Sequence, residues 1–273
     1  MKVAILVPAY NNARTLPNLI GSIQNIAKKM FPEDNFYISV ADDGSTDETN
    51  AALDICLKAV NSSKSNVRLN ADSWSVNEGV GAITKKGLEI IAGSDKKIDF
   101  LIKIDGDGQH DPALLPAILV KLRGNADLVI ASRFHRSSGQ INTPLDRALL
   151  NRVFAGLIKE ITGWEISDSR SRFMGMKWRH AKNMAPYLIT RRYGIPMEII
   201  LRLWKMKPEA RVEEVPHPAL YGGQSLTEEH RRRYRDGGET IEQKSARVAE
   251  AYAAVLRVLE DMKVNAKQFM KPS

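Results

Sequence analysis

Seven consecutive residues, Asp105-Gly106-Asp107-Gly108-Gln109-His110-Asp111, put three carboxylates and a histidine just beyond the apolar run Phe100-Leu101-Ile102. In an extended segment residues two apart face the same way, so Asp105 and Asp107 present their carboxylates to one side. Gly106 and Gly108 let the backbone turn and let a ligand come close. Hard oxygen ligands so arranged suit a divalent cation, Mg2+ or Mn2+, shared with the phosphates of a substrate. A calcium loop of the EF-hand type is excluded, because its sixth position is His110 instead of glycine and its twelfth is Pro116 instead of glutamate. A turn capping a helix that opens at Pro112 accounts for Asp111 and leaves Asp105 and Asp107 unexplained.

Three further polar loops carry comparable chemistry: Pro8-Ala9-Tyr10-Asn11-Asn12, Asp42-Asp43-Gly44-Ser45-Thr46-Asp47, and Asn77-Glu78-Gly79-Val80-Gly81-Ala82. Gly79 and Gly81 stand at a predicted helix start, where free N–H groups attract anions. Thr84 in place of a third glycine excludes the dinucleotide G-x-G-x-x-G pattern, and a nicotinamide enzyme with it.

The elements that must position these loops alternate. Strands are predicted at 2–8, 37–43, 99–105 and 127–133, where the apolar content is near-continuous, and a short one at 66–70. Between them, helices are predicted from Leu16 to Met30, from a Ser45/Glu48 capping box to Val60, from Val80 to Ala92, and over 112–124. Such alternation argues an α/β fold with a mostly parallel sheet covered by helices on both faces. In an open parallel sheet ligands bind beyond the carboxyl ends of the strands, which is where all four polar loops fall. After Phe134 the rhythm changes. Helices are predicted at 144–162 and 197–206, then a strand at 211–216, a polar stretch at 221–240 and a last helix from Ile241. Val248, Tyr252, Val255, Leu259 and Met262 follow one another along that helix, a face that packs on the protein itself or meets a second subunit or a membrane.

The 273 residues suffice for a large core without metal or disulfide staples. The single cysteine, Cys56, excludes an internal disulfide and lies at helical spacing with Leu53 and Val60, as a small core residue. No signal peptide and no run of about 18 apolar residues is visible. A soluble, cytoplasmic protein is therefore expected, at most peripheral on the cytoplasmic face of a membrane. The formal net charge of +8 favours anionic partners. Charge without interleaved stacking aromatics makes nucleic acid an unexpected one.

Taken in order, the segments VPAYNNARTL, ADDGSTDET, NEGVGA and DGDGQHDP resemble the family-2 inverting glycosyltransferases of the nucleotide-diphospho-sugar-binding (GT-A) fold. The likeness covers about residues 1–225: a nucleotide-sugar-binding half at 1–135 and an acceptor half at 136–225. A basic segment and C-terminal helix follow at 226–273. Within the family the chain is most similar to the polyprenyl-phosphate (dolichyl-phosphate) mannosyl- and glucosyltransferases. Gln109 and His110 follow the acid pair as in that group, ASRF holds Arg133, TPLDRALLN holds Arg147, and MEIILR holds Glu198 and Arg202. There are departures. Asn12 and Asn151 replace an acidic residue and a serine. In DSRSRFMG, Arg172 and Met174 stand where the group has glycine and arginine. HRRRY at 230–234 resembles the Gln-x-x-Arg-Trp segment of other members, with Arg233 as its matched charge.

The resemblance implies roles. Pro8, Ala9, Tyr10, Asn12, Asp42 and Asp43 would hold the base and ribose of a UDP-, GDP- or dTDP-sugar. Gly79, Gly81, Gly106, Gln109 and Arg233 would complete the donor site, and Asp105 and Asp107 would hold the ribose-phosphate side and the metal. The acceptor would be a lipid phosphate or a glycan. A hydroxyl acceptor needs a general base, for which Glu198 is the first candidate and Asp168 the second. A phosphate acceptor is already anionic and shifts the burden to Arg133 and Arg147. Two other classes compete. A sugar-1-phosphate nucleotidyltransferase would open on a Gly- and Arg-rich loop ending in lysine, unlike VPAYNNARTL. A non-catalytic nucleotide-binding module would leave the acid pair without a task.

Overall fold

The computed structural model describes residues 1–94, 97–138, 145–218 and 240–264. In chain order its elements are β1 (Lys2–Ala9), α1 (Leu16–Met30), β2 (Asn35–Asp42), α2 (Thr49–Ser62), β3 (Val67–Ser73), α3 (Val80–Gly93) and β4 (Phe100–Lys103). A 3-10 turn (Pro112–Leu114) leads into α4 (Leu115–Arg123), then β5 (Leu128–Ser132), α5 (Leu145–Thr162), β6 (Met174–Lys177) and α6 (Trp178–Met184). After a second 3-10 turn (Ala185–Tyr187) come α7 (Ile195–Met206), β7 (Val212–Pro216) and α8 (Ile241–Asp261). The expected boundary at residue 225 lies outside the described residues.

Among the described residues the strands form one sheet in the order β3-β2-β1-β4-β6-β5-β7. All neighbours are parallel except those of β6, which runs antiparallel between β4 and β5. Strand β1 shows why the apolar runs are continuous. Val3, Ile5 and Val7 pack with α1, α2 and α4 on one face, and Ala4 and Leu6 pack on the other with the layer containing α3, α5, α6 and α7. Both faces being covered, the run at 3–7 is apolar at every position. The register then aligns the carboxyl ends. Ala9 pairs with Asp42 and Asp42 with Ser73, while β4 ends opposite Leu6 and its loop continues alongside Pro8 through Gly106 N–H to Pro8 O, 3.1 Å. All four polar loops therefore leave one edge of the sheet.

The second half departs from the expected rhythm at β6 and α6, which the sequence pattern does not announce. Four residues, Met-Gly-Met-Lys, carry no strand periodicity of their own. Their strand exists because β4 and β5 leave a gap that a short antiparallel segment fills, with Gly175 against Ile118 of α4. The capping box at Ser45 and Glu48 is also not formed. Helix α2 starts at Thr49 behind Glu48, whose side chain makes no capping bond, and Ser45 bonds Asp42 instead. On α8, Ala251, Ala254, Val255 and Val258 face inward with Leu259 and Met262 beside them, whereas Val248 and Tyr252 point outward. Cys56 is buried, as a small core residue should be.

One buried carboxylate ties the amino end of β5 to its surroundings. Asp127 lies 2.9 Å from His180 Nε2 and 2.8 Å from Lys207 Nζ, and accepts the Arg211 N–H at 3.0 Å. Burial alone would push its carboxyl up, but the donors from Lys207, His180, Arg211 and Lys177 hold it well below the usual carboxylate range. Its contribution to stability is thus complete above the unfolded-state value and is lost as pH falls below it. Asp127→Asn is expected to cost about 3 kcal/mol in urea titrations at pH 7. The gap from the parent protein should shrink below about pH 4.

Candidate active site

The four loops enclose a cleft of about 660 Å3 at the carboxyl edge of β1, β2 and β4. Its lining includes Pro8, Ala9, Tyr10, Asn12, Asp43, Gly79, Asp105, Gly106 and Asp107, nine of the residues that the sequence nominates for the donor. The first two loops are zipped together. Asn11 N–H donates to Ser45 Oγ and Asn12 N–H to Thr49 Oγ1, both at 2.8 Å, and Asn11 Oδ1 accepts the Thr46 N–H. Asn12, standing in place of an acidic residue, is buried and caps the loop by accepting the Tyr10 N–H through Oδ1. Tyr10 is left partly exposed at the rim, an aromatic face available to a base.

Asp42 and Asp43 divide their work. Asp42 is fully buried, spends its carboxylate on Ser45 N and Oγ, and is not among the residues lining the cleft. Asp43 does line the cleft and accepts the N–H groups of Glu78 and Gly79, both at 2.8 Å, which couples the second loop to the third. Burial pushes its carboxyl above the ordinary value.

The glycines of the third loop do something other than bind an anion. Gly81 N–H and Ala82 N–H both donate to the backbone carbonyl of Arg191, at 2.8 and 3.1 Å. A Cβ on Gly81 would fall 2.1 Å from Thr190 O, and one on Gly79, whose φ is +100°, 2.5 Å from Arg191 O. The helix start is therefore occupied by the chain's own 189–192 segment, and glycine is required so that the two backbones can touch. Glu198 holds that segment from the other side. It is 1% exposed, accepts the N–H groups of Ile189 at 2.9 Å and Thr190 at 2.8 Å, and pairs with Arg202 Nε at 2.7 Å. Glu198 is not among the residues lining the cleft; its bonds hold the backbone that delivers Arg192 and Tyr193 to it.

Asp168 is likewise committed. Its carboxylate accepts Arg133 N and Nε at 3.0 and 2.8 Å and Arg133 Nη2 at 3.0 Å. Burial would raise its carboxyl, and the Arg133 charge and hydrogen bonds outweigh that and hold it low. Arg133 and Arg147 are half-buried, on the β5 end and on α5, and neither lines the cleft. Gln109 donates its N–H to Asp107 Oδ1 without lining the cleft, and Arg233 lies outside the described residues.

At the acid pair the structure adds two cations that the sequence reading left out of the site. Lys103 Nζ donates to Asp105 Oδ1 at 2.7 Å. Arg172 Nε lies 2.9 Å from Asp105 Oδ2, and Arg172 Nη2 3.9 Å from Asp107 Oδ2. The Arg172 approach is not aligned for a hydrogen bond, so the buried Asp105 Oδ2 has an ion-pair partner and no donor. Burial works against the Asp105 charge, but Arg172 and Lys103 prevail and hold it well below the carboxylate range. Asp107 is raised by burial and by the Asp105 charge beside it. A lysine inside the otherwise apolar run FLIKI was the visible signal for a buried ion pair; nothing in the sequence tells that Arg172 shares it. Arg14, Asn77, Arg192 and Tyr193 also line the cleft and were not nominated.

Comparison with known proteins bears on the family and the fold. Residues 4–183 match the profile described as Glycosyl transferase family 2. A dolichol-phosphate mannosyltransferase of Pyrococcus furiosus is 26% identical over 180 residues, covering 65% of this chain and 46% of the relative. An undecaprenyl-phosphate mannosyltransferase of Micrococcus luteus is 25% identical over 223 residues, 79% of this chain and 82% of the relative. A polyprenol monophosphomannose synthase of Mycolicibacterium smegmatis is 26% identical, covering 61% of this chain and 58% of the relative. The chain thus spans about half the length of the Pyrococcus and Mycolicibacterium proteins. Among solved structures, mannosyl-3-phosphoglycerate synthase of Rubrobacter xylanophilus superposes with a TM-score of 0.64 at 15% identity, covering 100% of this chain and 78% of that one. Glucosyl-3-phosphoglycerate synthase of Mycobacterium tuberculosis, in complex with Mn2+, UDP and phosphoglyceric acid, gives 0.62 at 15% identity over 97% of this chain and 79% of that one. At such identity the likeness speaks for the shared GT-A fold. With the profile matching well over half of its length, this chain belongs to glycosyl transferase family 2.

Proposed function

We propose that the protein transfers a hexose from a nucleoside diphosphate sugar to a polyprenyl phosphate, with inversion and with the help of Mg2+ or Mn2+. The observation that carries this reading is the convergence of Tyr10, Asp43, Asp105, Asp107, Arg172 and Arg192 on one cleft at the carboxyl edge of a parallel sheet. Tyr10 and the first two loops offer a face and hydrogen bonds to a nucleoside, and the acid pair with its arginines marks the diphosphate end.

The acid pair suits a hard divalent cation. Asp107 opens to the cleft, and Asp105 Oδ2 is a buried oxygen without a hydrogen bond. Among the described residues no group of three or more His, Cys, Asp or Glu is gathered for a metal. These two carboxylates would therefore hold it, with diphosphate oxygens and water completing its shell. When bound, the cation would stabilise the charge that grows on the departing nucleoside diphosphate. Arg192, carried on the segment that Glu198 and the α3 glycines hold, would add a second positive charge toward the same phosphates.

The two buried carboxylates bear on the acceptor. Glu198 and Asp168, the two carboxylates nominated to deprotonate a hydroxyl, are each buried and paired. A phosphate acceptor needs no base: its oxygen attacks the anomeric carbon, the bond to the diphosphate oxygen breaks, and the nucleoside diphosphate leaves with the electron pair. The relatives named for dolichol, polyprenol and undecaprenyl phosphate support a lipid-borne phosphate. So do the exposed apolar residues Leu145, Leu149 and Val153 of α5 and Val248, Tyr252 and Leu256 of α8. The starts of these two helices approach through Lys244 and Asp146, 3.8 Å apart. Exposed apolar side chains suit contact with a membrane surface; among the described residues no helix is long and apolar enough to cross one.

Incubation with UDP-, GDP- and dTDP-hexoses, Mn2+ and a polyprenyl phosphate should yield the polyprenyl-phosphate hexose and a nucleoside diphosphate. Pyrophosphate release from a nucleoside triphosphate and a sugar phosphate, with no transfer to lipid, would overturn this assignment. Asp107→Asn should lower the metal-dependent rate by about a hundredfold or more. Glu198→Gln should lower the melting temperature and reduce kcat by less than about tenfold, where loss of a general base costs about 10²–10⁴-fold. A larger loss in kcat with unchanged stability would restore Glu198 as the base.

A further inference from the structure

Asp105 and Asp107 are matched, charge for charge, by Lys103 and Arg172. The two cations are not equivalent. Lys103 is 3% exposed, belongs to β4, and is fixed between Asp105 Oδ1 and the Arg172 backbone carbonyl. Arg172 is 21% exposed and lines the cleft, with its guanidinium carbon 5.8 Å from the Tyr193 ring. Its approach to Asp105 lacks hydrogen-bond alignment and its nearest contact to Asp107 is 3.9 Å, so it is a counter-charge held by Coulomb attraction with room to leave.

We propose that Arg172 is the resident cation of the acid pair, neutralising Asp105 and Asp107 in the ligand-free protein and ceding them to the metal when a donor diphosphate draws its guanidinium away. This rests on the donor site described above and adds to it an order of events. A divalent cation arriving alone meets carboxylates already neutralised and a guanidinium beside them. To bind, it must expel Arg172 from an ion pair in a poorly solvated place with no new partner for the arginine. A diphosphate supplies that partner, because the planar guanidinium fork fits phosphate oxygens in pairs. With Arg172 turned to the phosphates, the acid pair regains its negative charge and the metal can bridge carboxylates and diphosphate. Lys103 stays behind and keeps Asp105 from carrying an unpaired buried charge. Metal and nucleotide should therefore bind as a coupled pair, and the coupling should be the same in whichever direction it is measured.

Mn2+ binding, followed by the electron paramagnetic resonance signal of the free ion, tests this with UDP, GDP and dTDP as separate probes. In the parent protein Mn2+ alone should bind weakly, and one of the nucleotides should tighten it by about 5–150-fold, the usual span of such couplings. Mn2+ should tighten that nucleotide by the same factor. Arg172→Gln should bind Mn2+ alone about tenfold more tightly or better, with the coupling falling towards unity. Arg172→Lys, which keeps the charge, should keep most of the coupling. Circular dichroism and melting curves show whether each variant is folded. If Arg172→Gln misfolds, the parent protein still decides, since tight Mn2+ binding that ignores nucleotide overturns the proposal. Unchanged Mn2+ affinity and coupling in a folded Arg172→Gln also overturn it while leaving the donor site intact. A parent protein that binds no Mn2+ with any of the three nucleotides overturns the donor-site reading itself, and the proposal with it.

Discussion

A carboxylate buried at the end of a parallel strand costs several kcal/mol unless other charges meet it, and at Asp105 two cations do. Lys103 comes from the same strand, two residues earlier. Arg172 comes from the stretch just before β6, and that origin ties the two halves of the molecule together. The short run 168–173 serves both sides. Asp168 fixes Arg133, Ser171 Oγ donates to Ala131 O, and Arg172 meets the acid pair. Phe173 stacks on His110, whose Nδ1 accepts the Asp105 N–H. The acid pair is thus a junction as well as a binding surface, and a disturbance there should be felt in the β5–β6 region.

The same economy governs the third loop. Gly79 and Gly81 are small because the 189–192 backbone lies against them, and Glu198 is acidic because two N–H groups of that backbone and Arg202 need an acceptor. Gly79, Gly81 and Glu198 together hold the segment that carries Arg192 and Tyr193 to the cleft. Their side-chain types are dictated by hydrogen bonding and close packing.

The donor half was legible in the sequence because its signals are local. Buried strands read as unbroken Val/Ile/Leu runs, and the loop at each strand end shows its polar residues together, so the parallel sheet and the edge bearing the site follow from pattern alone. What escaped depends on distant partners. Strand β6 is four residues long and has no period to detect. The Ser45/Glu48 box looked like a helix start, but Asp42 competes for the serine hydroxyl and wins. For Glu198 and Asp168, spacing says nothing about the arginines and N–H groups that meet their carboxylates. Arg172 was visible only as a departure from the family pattern, and its meaning appeared when the fold set it beside Asp105.

The cation at the acid pair is the proposition on which the chemistry rests, and anomalous diffraction at the manganese edge from crystals grown with Mn2+ and the donor nucleotide tests it most directly. The expected result is a manganese peak touching Asp107 and Asp105 Oδ2, bridged to the diphosphate, with the Arg172 guanidinium turned to the phosphate oxygens. Arg172 still against Asp105, no manganese at the pair, and a nucleotide bound elsewhere would contradict it.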